Sequence, residues 1–420
     1  MNARYLDLHL LHQIPASCLN RGDFDEPKTM RWGNTTRSYV SPQCWKRTVR
    51  HTMEEDLGEH AARTRLLPQR VSQALQQDGW PQELGDFAAT QVARSANSKG
   101  LKTDTEQPQR TQAMLYLPQS ALDDLVALCE KHRPALEEAA AEAAAQKAAQ
   151  AAAEKAEAAT ASEELDDTAD FNRTTKRNKK QPPAAVLPTQ HVAAIIRRRT
   201  ATINLFGRML AEIPHGHVES ALDLAPAVTV HASDRQPDFF TAVEDWATPD
   251  TRGTAHLHTA FFTNGIFYRY ATLNLTELTT NLGGNTTHAH EVMRLFLDTY
   301  IYSLPQAKKT ATAPHTLPYL VHYAVRDRRP ISYAAAFEEP TRAAPRGGFT
   351  DPARNQLCEY AAAINRLTGK RHLIAHGHTG THDEPAPHLG DHHLSYDELI
   401  ETSTTAASTQ QAPAHNAAAA

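Results

Sequence analysis

Strand-like patterns lie on both sides of a long stretch of helix formers in this chain of 420 residues. Near the N-terminus Leu6, Leu8 and Leu10 alternate with polar residues, which is the period-two pattern of a half-buried strand. Between about Gly58 and Gln190 the composition shifts to helix formers and polar residues. A sheet that draws strands from both sides of this stretch must accommodate a large helical insertion. The order of the segments therefore predicts an α+β fold.

The remaining segments are assigned by hydrophobic period and by turn residues. Strands are predicted over Ile203 to Leu210, Ala225 to His231, Ile266 to Leu275 and Tyr319 to Val325. Helices are predicted over Ser41 to Asp56, Ala121 to His132, the Ala-rich run from Pro134 to Thr160, and His288 to Leu304. Non-regular structure is predicted for the loop from Gln13 to Val40, for the charged linkers Glu163 to Asp170 and Lys176 to Lys180, and for the low-complexity tail from Thr402 to Ala420.

Composition excludes several classes of protein. No apolar run approaches the roughly 20 residues of a membrane span, and the first residues lack the layout of a signal peptide. The four cysteines are scattered without a CxxC pair, which argues against a disulfide scaffold and against a thiolate zinc finger. We therefore expect a cytoplasmic protein with no membrane partner. The net charge of -5 does not exclude nucleic acid, because the basic residues cluster.

The densest basic cluster lies near the N-terminus, in the loop and helix between residues 20 and 50. Cations there neutralise phosphate charge, while neighbouring amides and hydroxyls fix the register of a bound backbone. A solvated helix face with loose surface charges explains the same pattern equally well. The candidate residues are Asn20, Arg21, Lys28, Arg31, Arg37, Ser41, Gln43, Lys46, Arg47 and Arg50.

Two further segments carry residue types that suit nucleic acid. Phe239 and Phe240 interrupt the polar stretch from Asp234 to Thr263, and exposed aromatics on a projecting hairpin stack on bases. On residue type alone, the preferred interpretation is that they pack the hairpin onto its own domain. Lys308 and Lys309 begin a Thr-rich loop that either reaches a phosphate backbone or is simply solvated.

Two motifs suggest metal chemistry. Histidines crowd residues 372–393, and the run from His378 to His388 comes near the HxGTHxDxPxH metal signature of the cyclase and kynurenine-formamidase family. Glu384 and Ala386 depart from that signature, so a His-rich surface loop is the preferred interpretation. Asp23 and Asp25 are paired carboxylates that could hold Mg²⁺ for phosphodiester cleavage, or two ordinary loop aspartates. No Ser-His-Asp set, P-loop or GxGxxG motif supports an enzyme.

Short motifs in a fixed order resemble the CasC-type backbone subunit of type I-E CRISPR surveillance complexes (Cascade). They are Ser17-Cys18-Leu19-Asn20-Arg21, Ser41-Pro42-Gln43-Cys44-Trp45-Lys46-Arg47 with Arg50, Gly207-Arg208-Met209, Asp238 to Asp245, Gly265 to Ala271, Asn281-Leu282-Gly283-Gly284, Pro330-Ile331-Ser332 and Ala336-Phe337-Glu338. The Ala-rich insert from Pro134 to Lys180 and the His-rich region after Gly369 depart from the family pattern.

The resemblance implies a right-hand shape: an RRM-like (ferredoxin-like) palm, an inserted helical fingers domain and a projecting β-hairpin thumb. The expected boundaries are 1–58, 191–232 and 265–369 for the palm, 59–190 for the fingers, 233–264 for the thumb, 370–401 for the His-rich region and 402–420 for a disordered tail.

The resemblance also implies partners and residue roles. Copies of the chain would coat the spacer of a guide RNA (crRNA), present it to target DNA, and assemble with a large subunit, a small subunit, a guide-processing endonuclease and a 5′-handle-binding subunit. Such a protein is expected to be no enzyme and to need no cofactor. The alternative is a Mg²⁺-dependent ribonuclease that uses Asp23 or Asp25. The residues implied to bind RNA are Asn20, Arg21, Lys28, Ser41, Gln43, Lys46, Arg47, Arg50, Arg208, Met209 (as an apolar wedge), Phe239, Phe240, Thr241, Lys308 and Lys309.

Overall fold

The computed structural model describes residues 3–161, 184–243 and 254–408. Its strands are β1 (Tyr5–Ser17), β2 (Thr29–Trp32), β3 (Thr35–Val40), β4 (Ala61–Thr64), β5 (Leu115–Pro118), β6 (Leu222–Leu224), β7 (Ala227–Thr229), β8 (Gln236–Val243), β9 (Thr254–Asn274), β10 (Leu320–Arg326), β11 (Leu373–Gly380) and β12 (Asp391–His392). Its α-helices are α1 (Pro42–Leu57), α2 (Leu67–Gln77), α3 (Gln82–Ser95), α4 (Ser120–Lys131), α5 (Arg133–Ala161), α6 (Thr189–Ile196), α7 (Ala201–Phe206), α8 (Leu275–Asn281), α9 (Thr286–Tyr302), α10 (Lys309–Thr312), α11 (Thr350–Thr368) and α12 (Tyr396–Ser408).

These elements form two compact units. The first unit takes its described residues from 3–58, 204–207 and 219–408, and the second takes them from 59–203 and 208–218. The first unit is built on a large sheet in the order β12-β11-β10-β1-β9-β7-β3-β2, with β6 and β8 also paired to β9. Its pairs are antiparallel except for β11 with β12. The expected α+β class is confirmed, and its sheet strands come from both sides of the helical segment.

The central strand β1 is covered on both faces, whereas its sequence predicts a half-buried strand. The leucine face is buried, as Leu8 shows at 1% exposure. The opposite face is polar but equally buried, and there the carboxylate of Asp7 accepts hydrogen bonds from Arg326 Nε and from the Tyr270 hydroxyl, both at 2.9 Å. A polar side chain can line a core when its hydrogen bonds are satisfied there. Alternation of polar and apolar residues therefore does not mark a solvent-exposed face in this strand.

The loop predicted from residue 13 to residue 40 is largely regular structure. Strand β1 continues to Ser17, and β2 and β3 form a hairpin joined by Gly33 and Asn34. Both joining residues have positive φ (54° and 57°), as a two-residue type I′ turn requires. A Cβ at Gly33 would also lie 1.8 Å from the backbone oxygen of Glu338. The Gly-Asn pair was the available signal for this hairpin.

Two other predictions from residue type are wrong. Residues 203–210 do not form a strand, because Ala201–Phe206 is the helix α7, whose first turn is capped by the Thr200 hydroxyl accepting from the Ile203 amide at 3.2 Å. Residues 402–408 are not disordered, because they continue α12. Ser403 and Thr404 are buried, and both hydroxyls donate to the carbonyl of Ile400. Residues 409–420 lie outside the described residues.

The second unit is mainly helical. Helices α2, α3, α4 and α6 bury a shared apolar core that includes Val71, Val92, Leu125 and Val192, and β4 pairs with β5. The Ala-rich run forms α5 as predicted. The charged linkers predicted at 163–170 and 176–180 lie outside the described residues. Among the helices that the structure describes, none combines the length and the apolar character that crossing a membrane requires.

Candidate nucleic-acid interface

The loop after β1 is tied to the start of α1 by Asn20. Its side-chain oxygen accepts from the Ser41 amide at 2.9 Å, and its backbone oxygen accepts from the Lys28 amide at 2.9 Å. Ser41 is the N-cap of α1, with its hydroxyl accepting from the Cys44 amide at 3.3 Å. Both polar groups hold backbone segments in place, so these two residues shape the surface that carries the basic residues.

Helix α1 divides its polar residues between two faces. Gln43 and Arg47 are exposed and lie four residues apart, so they share a face. Lys46 is half-buried and donates to the carbonyl of Leu222 at 3.2 Å. Arg50 is 5% exposed and forms an ion pair with Glu54 at 3.2 Å. The sequence pattern groups Lys46 with Arg50, whereas the residues presented to solvent are Gln43 and Arg47.

Cations from three segments surround this loop; Arg21, Arg47 and Lys309 are exposed, whereas Lys28 and Lys308 are partly buried. Arg21 Nη1 lies 2.6 Å from one oxygen of Asp25, and Lys308 Nζ lies 3.2 Å from the other. The hydrogen bond from Arg21 lowers the pKa of Asp25 most, and the hydrogen bond from Lys308 lowers it further. Lys28 and Arg47 both lie near Cys44. Burial raises the pKa of the Cys44 thiol, and the positive charges of these two residues partly offset the rise. The structure thus brings the α10 loop, which includes exposed Lys309, to the N-terminal basic cluster.

The predicted hairpin consists of β8 and the first part of β9. Phe239 and Phe240 are 61% and 45% exposed, and Thr241 is exposed beside them. Successive strand residues point to opposite faces, so the two rings are presented on both sides of the hairpin. The Phe240 ring meets His258 edge-on, with the ring centroids 5.6 Å apart. The turn of the hairpin, residues 244–253, lies outside the described residues.

In the second unit, Arg208 is buried and its neighbour Met209 is exposed. Arg208 is 2% exposed, and burial lowers its pKa to about 10. Its guanidinium donates to a ring of backbone carbonyls from Tyr116, Ile196, Arg197, Arg198 and Gly216. The following residue, Met209, is 83% exposed. Arg208 is therefore an internal clamp in this unit, whereas Met209 is available to an external partner.

The interpretation of the His-rich segment as a surface loop is correct only in part, because residues 373–380 and 391–392 form β11 and β12 of the large sheet, whereas residues 381–390 form a largely exposed loop between them. His378 lies in β11 at 2% exposure, and its Nε2 accepts from the Ala386 amide at 2.7 Å. Burial lowers the pKa of His378 to about 4, which keeps it neutral. Across residues 3–161, 184–243 and 254–408, no three His, Cys, Asp or Glu side chains are grouped to hold a metal ion. The cysteines Cys18, Cys44, Cys129 and Cys358 are free thiols.

Two residues that the sequence analysis did not single out also lie at this surface. Phe24 is 84% exposed in the loop between Arg21 and Lys28. Arg235, just before β8, lies 3.5 Å from a carboxylate oxygen of Glu26 and donates to the Thr29 hydroxyl at 3.2 Å. The sequence does contain a sign that Phe24 is exposed, since it is an apolar residue with a charged residue on each side. Arg235 lacks a sequence signal, since its contacts join segments about 200 residues apart.

Comparison with known proteins gives a consistent result. The model of the CT1975-like protein family matches residues 6–402. A solved chain described as "CRISPR RNA-guided surveillance complex, pre-nicking" is 34% identical, with a TM-score of 0.80, and the match covers 96% of this chain and 100% of that chain. A second, described as "CRISPR RNA-guided surveillance complex", is 29% identical, with a TM-score of 0.72, and the match covers 96% and 99%. No curated protein matches the sequence.

The expectation that the chain is no enzyme is wrong in the light of these matches. The matched family and the surveillance-complex chains leave room for a ribonuclease, and none of the matches identifies a non-enzyme. The expectation rested on missing motifs such as a P-loop. Ribonuclease chemistry requires only a few acid–base groups, which the fold can assemble from distant segments, so a search for motifs does not exclude it.

Proposed function

The chain belongs to the CT1975-like (Cas) protein family, and we propose that it is a guide-RNA-associated subunit of a CRISPR surveillance complex. The observation that carries this proposal is the group of cations around the loop after β1, where Arg21 and Lys308 converge on Asp25 and where Lys28 and Arg47 both lie near Cys44. Similarity to surveillance-complex chains over almost the whole sequence supports it.

In its finer form, the proposal is a CasC-type backbone subunit of a type I-E complex. Several copies would assemble along the spacer of the guide RNA and present it for pairing with target DNA. The other Cascade subunits named above would complete the complex. A subunit that must accept any guide can recognise only phosphate, ribose and shape, and it leaves sequence recognition to base pairing.

The candidate residues take different roles in this proposal. Cations and amides that reach solvent would contact the RNA backbone directly, and Met209 with the exposed residues of the hairpin would contact bases. The internally bonded residues would hold these groups in position. We assign backbone contact to Arg21, Lys28, Gln43, Arg47, Lys308 and Lys309, contact with bases to Met209, Phe239, Phe240 and Thr241, and positioning to Asn20, Ser41, Lys46, Arg50 and Arg208.

A ribonuclease is the second candidate function. The observation that favours it is the ionised carboxylate of Asp25 between two cations, beside exposed Asp23. Incubating the protein with labelled RNA and Mg²⁺ tests this candidate directly. Cleavage that disappears in Asp23→Ala or Asp25→Ala would support it, whereas intact RNA, or cleavage that survives both changes, would remove these aspartates from the mechanism.

The salt dependence of RNA binding tests the leading candidate. Each phosphate contact lowers the slope of log K against log salt by about 0.7 for single strands. We expect a steep slope that is equal for two guides with unrelated spacers, because the proposed contacts read only the backbone. Salt-insensitive binding, or a strong preference between the spacers, would contradict the proposal.

A further inference from the structure

Phe24 is an exposed aromatic ring on a basic surface, with no role in the assignments above. At 84% exposure it is more open to solvent than either hairpin phenylalanine. Exposing a phenyl ring to water is unfavourable. Single exposed apolar residues are common on protein surfaces, so the case for a binding site here depends on the surroundings of the ring.

The loop that carries Phe24 is closed and held in one conformation. The Gly22 amide donates to the Glu26 carbonyl at 2.7 Å, and Arg21 and Pro27 form a bridge at its neck. Asp25 adopts φ of 61°, which turns the chain sharply just after the ring. The ring is therefore presented at the tip of a pinned turn, which reduces the conformational entropy lost when it is immobilised.

The charges around the ring favour an anionic partner. Arg21 and Lys308 contact Asp25, and Arg235 contacts Glu26, so these charges largely cancel; with Lys28 and Asp23 included, the cations exceed the carboxylates by one. Lys28 adds a further cation at the rim. An exposed aromatic group among cations is the combination that single-stranded nucleic acid binders use, with bases stacked on rings and phosphates held by the surrounding charge.

A recess of about 260 Å³ lies beside the ring, and its lining includes Asp23, Phe24, Lys28, Tyr39 and Arg235. Sites for drug-sized molecules are about 300–1,000 Å³, so this recess suits a smaller group such as a single nucleobase. The Asp23 carboxylate at its edge can accept a hydrogen bond from an N–H group of any unpaired base, including the N3–H of uracil.

We propose that Phe24 is a stacking platform for one unpaired base of bound single-stranded RNA, with the base in this recess and the neighbouring phosphates on the rim cations. The proposal rests on the proposed RNA-binding function and adds to it a contact with the face of a base. Stacking does not select among bases, so this contact is compatible with a protein that accepts any guide.

The test compares variants on two RNAs: a labelled oligouridine and an abasic oligomer of the same length. Phe24→Ala should weaken binding of the oligouridine about tenfold, and it should leave binding of the abasic oligomer unchanged. Phe24→Leu keeps apolar bulk but loses the flat ring, so it should behave like Phe24→Ala. Phe24→Trp should keep most of the affinity, and its added fluorescence should be quenched by the oligouridine. Leu394→Ala, at a residue 89% exposed elsewhere in the same unit, is the matched control and should change neither affinity.

The outcomes separate this proposal from the one on which it rests. If the wild-type protein binds neither oligomer, both proposals fail. If it binds both with a steep salt dependence, but Phe24→Ala has the same effect on each, the stacking contact is wrong and RNA binding stands. If Phe24→Trp fluorescence instead follows protein concentration without RNA, and Phe24→Ala reduces self-association, the ring contacts a second copy of the chain and the proposal is overturned.

Discussion

At the scale of single residues, burial separates arginines that are indistinguishable in the sequence. Arg47 is exposed on α1, whereas Arg50, three residues later, is buried against Glu54. Arg208 is buried among carbonyl groups of its own unit. The sequence correctly indicates a basic cluster, but the division between contact and support depends on packing that local pattern does not encode.

Replacing Arg47 should therefore affect RNA binding, whereas replacing Arg50 should affect the stability of the fold. Arg47→Ala should lower the salt slope of RNA binding by about the contribution of one phosphate contact and leave stability unchanged. Arg50→Ala should cost roughly 3 kcal/mol of unfolding free energy, because it removes the arginine of a buried ion pair with Glu54. Salt titrations and urea unfolding measure the two effects. Arg47→Lys, which keeps the charge, is the control; equal stability losses at both positions would refute this division.

The clamp formed by Arg208 gives a second prediction. Arg208→Ala removes the guanidinium hydrogen bonds to the carbonyls of Arg197, Arg198 and Gly216. An unsatisfied buried group costs about 1–3 kcal/mol, so the variant should destabilise the second unit by roughly that amount. Met209→Ala, at an exposed neighbour, should change stability by less than about 0.5 kcal/mol while weakening RNA binding. Denaturant unfolding and RNA binding of both variants test this. A stable Arg208→Ala variant with weak RNA binding would instead make Arg208 a direct RNA contact.

At the scale of elements, prediction from sequence succeeds where local pattern and tertiary packing agree. Helices α1, α4 and α9 and strands β9 and β10 lie where their periodicity predicts. Strand prediction fails at α7, where the cap from Thr200 outweighs the preferences of individual residues. The β2–β3 hairpin was missed because polar residues of its strands, such as Ser38, are buried and hydrogen-bonded within the fold. The extent of α12 was missed for the same reason, since Ser403 is buried there and its hydroxyl donates to the carbonyl of Ile400. Contacts between distant segments, such as Arg235 with Glu26, have no local pattern from which to be predicted.

The hairpin turn between β2 and β3 is open to a direct test. Gly33→Ala should destabilise the protein by about 1–3 kcal/mol, because the residue holds φ of 54° and its Cβ would collide with the backbone of Glu338. Asn34→Gly is the matched control, since glycine accepts the φ of 57° at that position without a steric penalty. The midpoints of urea unfolding give the comparison. A Gly33→Ala variant as stable as the control would contradict the close approach to Glu338.

At the scale of the whole molecule, the first unit carries buried histidines that must stay neutral for the fold to persist. Burial lowers the pKa of His12 and of His322 to about 3, and that of His378 to about 4. Unfolded, these groups titrate near pH 6.5, so below that pH the unfolded chain binds protons that the folded chain does not. Asp7 and Asp298 act in the opposite direction, since burial raises the pKa of both carboxyl groups, but the three histidines outnumber them.

Stability should therefore be nearly constant between about pH 7 and pH 8 and fall between about pH 6.5 and pH 4. It should also fall above about pH 9, because burial raises the pKa of the Cys129 thiol to about 12 and that of the Cys358 thiol to about 11. Each such histidine contributes about 1.4 kcal/mol per pH unit in the acidic range. Urea unfolding at a series of pH values measures the slope. His322→Asn should make the slope shallower, whereas His315→Asn, at an exposed histidine, should leave it unchanged. Stability that rises on acidification would contradict the burial of neutral histidines.

The central claim is that copies of this chain coat a guide RNA through its backbone. The most direct test is to mix the protein with an end-labelled guide RNA, with and without Mg²⁺, and to map the fragments left by limited RNase digestion. The account predicts protection at regular intervals along the spacer, the same for unrelated spacers and lost at high salt. If the RNA stays unprotected even after co-expression with the other subunits of the complex, the claim is contradicted.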